Sequence, residues 1–227
     1  MQAQEKDSAL ILGEERSPSS FVVHYLINIF AGGLWAIWAY YNIQQAFKAP
    51  ESSWQAFLYF TLFFRNSSLM ILFLIRRPAR VSSKQIKEWL VAFLSTFISV
   101  FYGIEGGYSL FNSYYRSAIY VAMILAIILS MLAILSLGRS LGIVPANRGI
   151  KSRGLYSIVR HPIYACYIIF DIAFMNVNFS WLNLFVFCTS LLALYLRAIY
   201  EERFLRMDPA YQEYAEKTRY MFLPGII

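Results

Sequence analysis

Long apolar runs constrain this chain more than any other feature of its sequence. Four of them hold enough residues to cross a lipid bilayer as a helix. They lie at about Phe21–Ala46, Trp54–Ile75, Trp89–Phe111 and Ser117–Leu137. Hydrophobic residues make up 59% of the chain and charged residues only 15%, whereas soluble domains hold about 25% charged residues. Because a soluble domain of 227 residues cannot bury that much apolar surface, the sequence predicts a polytopic membrane protein and excludes an ordinary cytosolic enzyme.

The carboxyl-terminal part predicts a helical hairpin followed by an amphipathic helix. Ile163–Met175 is apolar but short for a span, Trp181–Ile199 is long enough, and turn-forming residues separate the two. From Tyr200 to about Thr218 the chain is amphipathic, with an interruption near Asp208-Pro209, which is typical of a helix lying at a membrane surface. The predicted fold is an all-α membrane bundle of five to six transmembrane helices that ends in this hairpin and helix.

The domain organisation predicted from these runs is a tail and one integral membrane domain. Residues 1–20 are polar and of mixed charge, so we expect a mobile cytoplasmic tail rather than a cleavable signal peptide. Residues 21–137 are expected to form a four-span bundle. Residues 138–227 are expected to form a ligand-binding loop, the hairpin and the interfacial helix.

Lysine and arginine residues concentrate in alternate loops. The segments Arg76–Glu88, Arg139–Pro162 and Arg203–Arg219 carry most of them, whereas the opposite loops carry only Lys48 and Arg116. This asymmetry predicts a multi-pass protein with both termini in the cytoplasm. Because the net charge of +7 follows from these loops, nucleic acid is not expected as a partner. An inner membrane and an endomembrane both fit the sequence.

The start of the hairpin is suited to bind an anion. Pro162 predicts the first turn of a helix, which places Arg160 and His161 at its amino terminus. Free backbone N–H groups and the positive end of the helix dipole lie there, and together they favour a carboxylate or a phosphate.

The other end of the hairpin carries Arg197, Glu201 and Glu202. Arg197 and Glu201 are four residues apart and share one helix face. Because a hairpin returns to the side where it starts, we expect them close to His161 and Tyr164. An anion site, a phenol, a guanidinium and carboxylates would then converge, as a zwitterionic, diol-bearing cofactor requires. The alternative is that Arg160 and His161 are interfacial anchors and the two glutamates a solvated helix face.

Several motifs in this part of the chain resemble one family. They are Gly154-Leu155-Tyr156, Arg160-His161-Pro162-Ile163-Tyr164, Arg197, Glu201-Glu202, Tyr211 with Tyr214, and Leu223-Pro224. Together they resemble the isoprenylcysteine carboxyl methyltransferase superfamily. Its members are integral membrane enzymes that use S-adenosylmethionine, and some act on phospholipids or small thiols. The resemblance covers about Leu137–Ile227, and no such motif occurs in the first four spans.

The resemblance implies methyl transfer from S-adenosylmethionine to a lipophilic acceptor in the membrane, such as a prenyl-cysteine carboxylate. Arg197 would be the catalytic arginine on the substrate side. The cofactor would be bound by Arg148, Gly149, Ile150, Lys151, Tyr156, His161, Pro162, Ile163, Tyr164, Glu201 and Glu202. The chain departs from the family pattern where Ala165-Cys166 follow Tyr164, since many members have a small residue and a glycine there, and in the segment before Gly154.

The residues alone leave two other functions open, an NADPH-dependent membrane reductase of the sterol type and a non-catalytic membrane protein. No Gly-x-Gly-x-x-Gly fingerprint follows a predicted strand, so helices and loops would have to bind any nucleotide-like cofactor.

Polar residues inside the apolar runs have a separate interpretation. Arg65, Glu105 and Asp171 lie within predicted spans and are expected to form pairs or to line a substrate path. Cys166 and Cys188 lie in apolar stretches and are expected to be free thiols. With two His and two Cys, none at metal-ligand spacing, no metal site is expected.

Overall fold

The computed structural model describes residues 18–49, 53–79, 81–102, 109–110 and 113–225. Residues 1–17 of the predicted tail, and Glu105, lie outside the described residues. The described α-helices are α1 (Pro18–Lys48), α2 (Trp54–Ile75), α3 (Ile86–Phe97), α4 (Ser113–Leu137), α5 (Pro162–Val177), α6 (Trp181–Leu205) and α7 (Pro209–Lys217). Two short strands, β1 (Val81–Ser82) and β2 (Ala146–Asn147), form an antiparallel pair.

Four of these helices are long and apolar enough to cross a membrane, which confirms the predicted all-α membrane fold. The candidate spans are His24–Lys48, Trp54–Ile75, Tyr115–Ser140 and Trp181–Leu205. Each corresponds to an apolar run in the sequence. Large apolar side chains remain exposed on their outer surfaces, among them Phe30, Phe64 and Phe185, as expected of helices that face lipid. The protein is therefore an integral membrane protein.

The predicted third span is not one long helix, which corrects that part of the sequence analysis. α3 ends at Phe97 and is followed by a short 3-10 helix, Ile98–Phe101. The Thr96 hydroxyl donates to a carbonyl one turn earlier at 2.7 Å, and such bonds bend helices. The chain still reaches the far end of the bundle, because the Leu110 N–H donates to the Asn176 carbonyl at the end of α5, at 2.9 Å.

α5 and α6 form the hairpin. Pro162 is the first residue of α5 and His161 is its N-cap. The Ser180 hydroxyl caps α6 by accepting the Asn183 N–H at 3.1 Å, so the chain reverses direction between the two helices within residues 178–180. The open end of the hairpin, where α5 begins at Pro162 and α6 ends at Leu205, packs on a buried apolar cluster that includes Phe73, Ile134 and Leu194.

The basic loops meet at that open end. The loop after α2 pairs with the loop after α4 through β1 and β2, with Val81 opposite Asn147. In the same place the Arg77 N–H donates to the Arg139 carbonyl at 2.8 Å. These bonds bring two basic segments together at one end of the bundle.

The carboxyl-terminal segment covers the same end. The Arg160 and His161 N–H groups donate to the carbonyls of Tyr220 and Met221, at 2.9 Å and 2.8 Å. Because these two donors are engaged, fewer N–H groups are available at the start of α5 than the sequence alone indicates.

Candidate functional site

Glu201 stands at the centre of the site. Its Oε1 accepts the Tyr164 hydroxyl at 2.6 Å and the Arg197 Nε–H at 3.2 Å. Its other oxygen lies 3.8 Å from His161 Nδ1. The two ends of the hairpin thus converge as the sequence predicts, since α5 supplies the tyrosine and α6 supplies both the arginine and the glutamate.

Arg197 is buried, and acceptors surround all of its N–H groups. Besides Glu201, they are Ser95 Oγ (3.3 Å), Thr96 Oγ1 (2.9 Å), the Gly142 carbonyl (3.4 Å) and the Ile143 carbonyl (2.6 Å). Its guanidinium carbon also lies 5.1 Å from the centre of the Tyr164 ring. Arg197 therefore ties together α3, the loop after α4 and the hairpin.

Glu202, the next residue, faces away from Glu201. Its Oε1 accepts Arg160 Nε–H at 2.7 Å and the Tyr211 hydroxyl at 2.8 Å, and lies 3.1 Å from His161 Nε2. Arg160 in turn donates to the carbonyls of residues 218 and 219, at 2.8 Å and 2.5 Å. Glu202 therefore fastens α7 and the carboxyl-terminal segment to the hairpin.

Two buried tyrosines, Tyr156 and Tyr214, line the cavity near the two glutamates. The Tyr214 hydroxyl donates to the Tyr156 carbonyl at 2.7 Å. Burial raises the pKa of Tyr214 to about 12, and burial with the nearby Glu201 carboxylate holds the pKa of Tyr156 well above its usual range. Both side chains are neutral at physiological pH, so they offer aromatic faces and hydroxyl groups rather than charge.

The loop that follows β2 is held in a fixed turn. The Asn147 side-chain oxygen accepts the Gly149 N–H at 3.0 Å, and its amide donates to Asp208 at 2.6 Å. Gly149 has φ of +96°, in the left-handed region that favours glycine. The turn presents Arg148 and Lys151 to the same space as Glu201.

That space is a cavity of about 720 Å³ that extends from the basic loops into the bundle, within the range of about 300–1,000 Å³ typical of small-molecule sites. Arg197 lines it, and so do most of the residues expected to bind the cofactor. These are Arg148, Gly149, Ile150, Lys151, Tyr156, His161, Ile163, Tyr164 and Glu201. Pro162 and Glu202 are not part of the cavity wall. Pro162 is the first residue of α5, and the Glu202 carboxylate bonds to Arg160 and Tyr211 instead.

Other residues of the wall were missed as site residues. They are Ser95, Thr96, Gly142 and Ile143 among the polar and loop positions. Arg160, expected near an anion, and the motif residues Tyr211 and Tyr214 also line the wall, although none of them was assigned to the cofactor. The adjacent hydroxyls of Ser95 and Thr96 inside an apolar run were a usable signal. Gly142 and Ile143 contribute backbone carbonyls, which any residue would carry, so their side chains give no signal.

The deeper wall of the cavity carries charge as well. Arg65 and Asp171 both line it. The Arg65 Nε–H donates to Asn66 at 3.3 Å, and Asp171 accepts the Ser190 hydroxyl at 2.9 Å. Among the ion pairs of the described residues, none joins Arg65 directly to Asp171. The expected alternative of a direct pair between these two residues is therefore not observed, and both face the cavity.

No group of three or more His, Cys, Asp or Glu side chains in the described ranges is arranged to hold a metal ion. Both cysteines are free thiols; Cys166 is buried and Cys188 is exposed. The polar side chains that form the site are carboxylates, guanidinium groups, an imidazole and phenols.

Fold and site together define a helical integral membrane protein with a largely apolar cavity, which carries a cluster of polar and charged side chains at the open end of the terminal hairpin. Residues 118–207 match the model of the isoprenylcysteine carboxyl methyltransferase (ICMT) family, which confirms, for this part of the chain, the resemblance inferred from the motifs. The match spans α5 and α6, with Arg197, Glu201 and Glu202, and ends before α7. A comparison with curated proteins gives no match.

Proposed function

We propose that this protein is an S-adenosylmethionine-dependent methyltransferase that transfers a methyl group to a lipophilic acceptor, with a prenyl-cysteine carboxylate as one candidate. The observation that carries the proposal is the position of Glu201. Its carboxylate lines the cavity while Tyr164 and Arg197 fix its orientation.

The residues of the cavity fit a zwitterionic nucleoside. Glu201 would accept hydrogen bonds from an ammonium group or from ribose hydroxyls. His161 and the first-turn N–H groups of Ile163 and Tyr164, which have no partner within their own helix, would bind a carboxylate. The aromatic faces of Tyr156 and Tyr164 would enclose a base. Glu202 and Pro162 act on this site indirectly, by fixing the start of α5.

The cofactor supplies a methyl group on a sulfonium, which is already electrophilic. The work left to the protein is to hold the acceptor in line and to exclude water, and positioning alone contributes several kcal/mol. A carboxylate acceptor arrives ionised and needs no general base, whereas an amine or thiol must first lose a proton. Arg197 would orient an anionic acceptor by exchanging one of its present backbone partners for it.

We also propose a multi-pass arrangement with both termini in the cytoplasm. Three basic segments support it, because they share the open end of the hairpin: the loops after α2 and α4 and the segment after α6. Residues of the loop after α4 line the cavity, so the cofactor would enter from the cytoplasm and a lipophilic acceptor from the surrounding bilayer.

The test is ligand binding by the purified protein in detergent. S-adenosylhomocysteine should raise the melting temperature and NADPH should not. Glu201→Gln should lose this shift, and its unliganded melting temperature should fall because the buried Arg197 loses its carboxylate partner. Glu213→Gln, on the exposed face of α7, is the matched control that should keep both the shift and the melting temperature. Tritiated S-adenosylmethionine with lipid extracts should then label an acceptor.

The outcomes separate the alternatives. A shift with NADPH alone would favour a reductase. No shift with either ligand, together with no labelled lipid, would favour a non-catalytic membrane protein.

A further inference from the structure

The cavity has a second polar region that the proposed methyl transfer does not use. Arg65 and Asn66 on α2, Asp171 on α5 and Ser190 on α6 all line it. Asn66, Asp171 and Ser190 are buried, and the surrounding wall is largely aromatic and aliphatic, including Tyr167.

The helices set the distance of this region from the site around Glu201. Asp171 is seven residues after Tyr164 on α5, and Ser190 is seven residues before Arg197 on α6. At 1.5 Å per residue, both spacings correspond to about 10 Å along the helix axis. Because α5 and α6 run in opposite directions, Asp171 and Ser190 lie at the same depth in the bundle, measured from Tyr164 and Arg197.

Charges at that depth are costly unless they pair or contact a polar group. Arg65 has a neutral amide and the Tyr167 ring, 5.5 Å from its guanidinium carbon, as contacts. Asp171 accepts the Ser190 hydroxyl, and the Tyr102 hydroxyl and the Arg65 charge also act on its carboxylate. A plain hydrocarbon chain passing between them would displace water and offer no hydrogen bond in return.

We propose that Arg65, Asn66, Asp171 and Ser190 form a second subsite, which binds an uncharged hydrogen-bonding group of the acceptor about 10 Å from the atom that is methylated. A hydroxyl or an amide suits this subsite, because each can accept a hydrogen bond from Arg65 and donate one to Asp171. A formally charged group is opposed by one of the two. This inference rests on the proposed function and narrows its acceptor, since an unmodified prenyl chain lacks such a group.

The test compares two probes on wild-type protein saturated with S-adenosylhomocysteine. Both are S-alkyl cysteine carboxylic acids of equal chain length, and one carries a hydroxyl about 10 Å from its carboxylate. We expect the hydroxylated probe to bind about ten- to a hundredfold more tightly, since the plain chain leaves buried polar groups without partners.

Three variants test which residues cause the preference for the hydroxylated probe. Arg65→Met and Asp171→Leu should bring the two affinities together, because neither replacement side chain forms a hydrogen bond with the probe's hydroxyl, whereas Ser130→Ala is the matched control. Ser130 is buried, donates to its own helix backbone and does not line the cavity, so this change should keep the preference. Each variant's affinity for S-adenosylhomocysteine checks that it is folded.

Two failures are distinguishable. If the wild type binds S-adenosylhomocysteine but binds both probes equally, or binds neither, the subsite is wrong and the proposed function stands. If the wild type does not bind S-adenosylhomocysteine, the proposed function fails and the inference fails with it.

Discussion

Glu201 and Glu202 are neighbours in the last turns of α6, yet they belong to two different regions of the molecule. Glu201 faces the cavity, with 18% of its side chain exposed and partners from the hairpin. Glu202 has 9% of its side chain exposed and bonds to Arg160 and to Tyr211 of α7. The Glu201 carboxylate is accessible from the cavity, whereas the Glu202 carboxylate bonds to other parts of the chain.

His161 connects the two regions. Its Nδ1 lies 3.8 Å from Glu201 and its Nε2 lies 3.1 Å from Glu202. Its backbone N–H is bonded to the carboxyl-terminal segment through Met221. A change in how that segment packs would therefore move a residue of the cavity wall. We infer from these contacts that Glu201 serves binding and Glu202 serves stability, although the two are adjacent and alike in charge, and the following changes test that division.

The largest effect is expected from Glu202→Gln. Arg160 and Glu202 are almost entirely buried, with 8% and 9% of their side chains exposed, and breaking such a pair costs about 3–5 kcal/mol because it leaves a buried charge uncompensated. The melting temperature should fall markedly, and protease should cut after α7 sooner than in wild type. An unchanged melting temperature with lost S-adenosylhomocysteine binding would show that Glu202, not Glu201, serves the ligand.

The sequence predicts the Glu201 region well because its determinants are local. Pro162 sets the start of α5, the spacing of Arg197 and Glu201 puts both on one face, and a hairpin must bring its ends together. The long apolar runs likewise predict four of the membrane-spanning helices.

The Glu202 region and the break in α3 could not be predicted, because both depend on distant contacts. Arg197 bonds to Thr96, more than a hundred residues earlier, at the end of α3 where the Thr96 hydroxyl also bonds to its own helix. The carboxyl-terminal segment bonds through backbone groups of Tyr220 and Met221, and backbone groups carry no sequence signal. The sequence also could not predict which residues lie opposite Arg65 in the cavity, because that depends on how the helices pack.

A smaller and more direct contrast comes from two matched hydroxyl deletions. Tyr211→Phe removes a donor from Glu202 and should cost about 1–3 kcal/mol of stability, with S-adenosylhomocysteine affinity unchanged once the protein is folded. Tyr164→Phe removes a donor from Glu201 and should weaken that affinity about tenfold or more. Thermal unfolding and equilibrium binding of S-adenosylhomocysteine, both measured on each variant, test these two expectations. Equal losses of affinity would mean that the two regions are not separate.

Thr96→Val tests how firmly Arg197 is held. The change keeps the shape and removes one hydroxyl acceptor at 2.9 Å, so about 0.5–1.5 kcal/mol of positioning should be lost. Because Thr96 contacts Arg197 rather than the proposed cofactor residues, we expect methyl transfer to slow several-fold at unchanged cofactor affinity. Thr61→Val is the control, since that hydroxyl bonds to its own helix on an exposed surface of α2. A matching rate loss in the control would contradict a specific role for Thr96.

The smallest effect is expected on the outer surface of α7. Lys217 and Glu213 form a pair at 2.6 Å, but their side chains are 72% and 68% exposed, and exposed pairs of this kind contribute little. Lys217→Met should therefore leave the melting temperature and S-adenosylhomocysteine affinity unchanged, in contrast to the loss of stability expected for a change at Tyr211, on the buried face of the same helix. A clear loss of affinity in Lys217→Met would mean that α7 contacts the ligand through its outer face, and the division between the Glu201 and Glu202 regions would have to be redrawn.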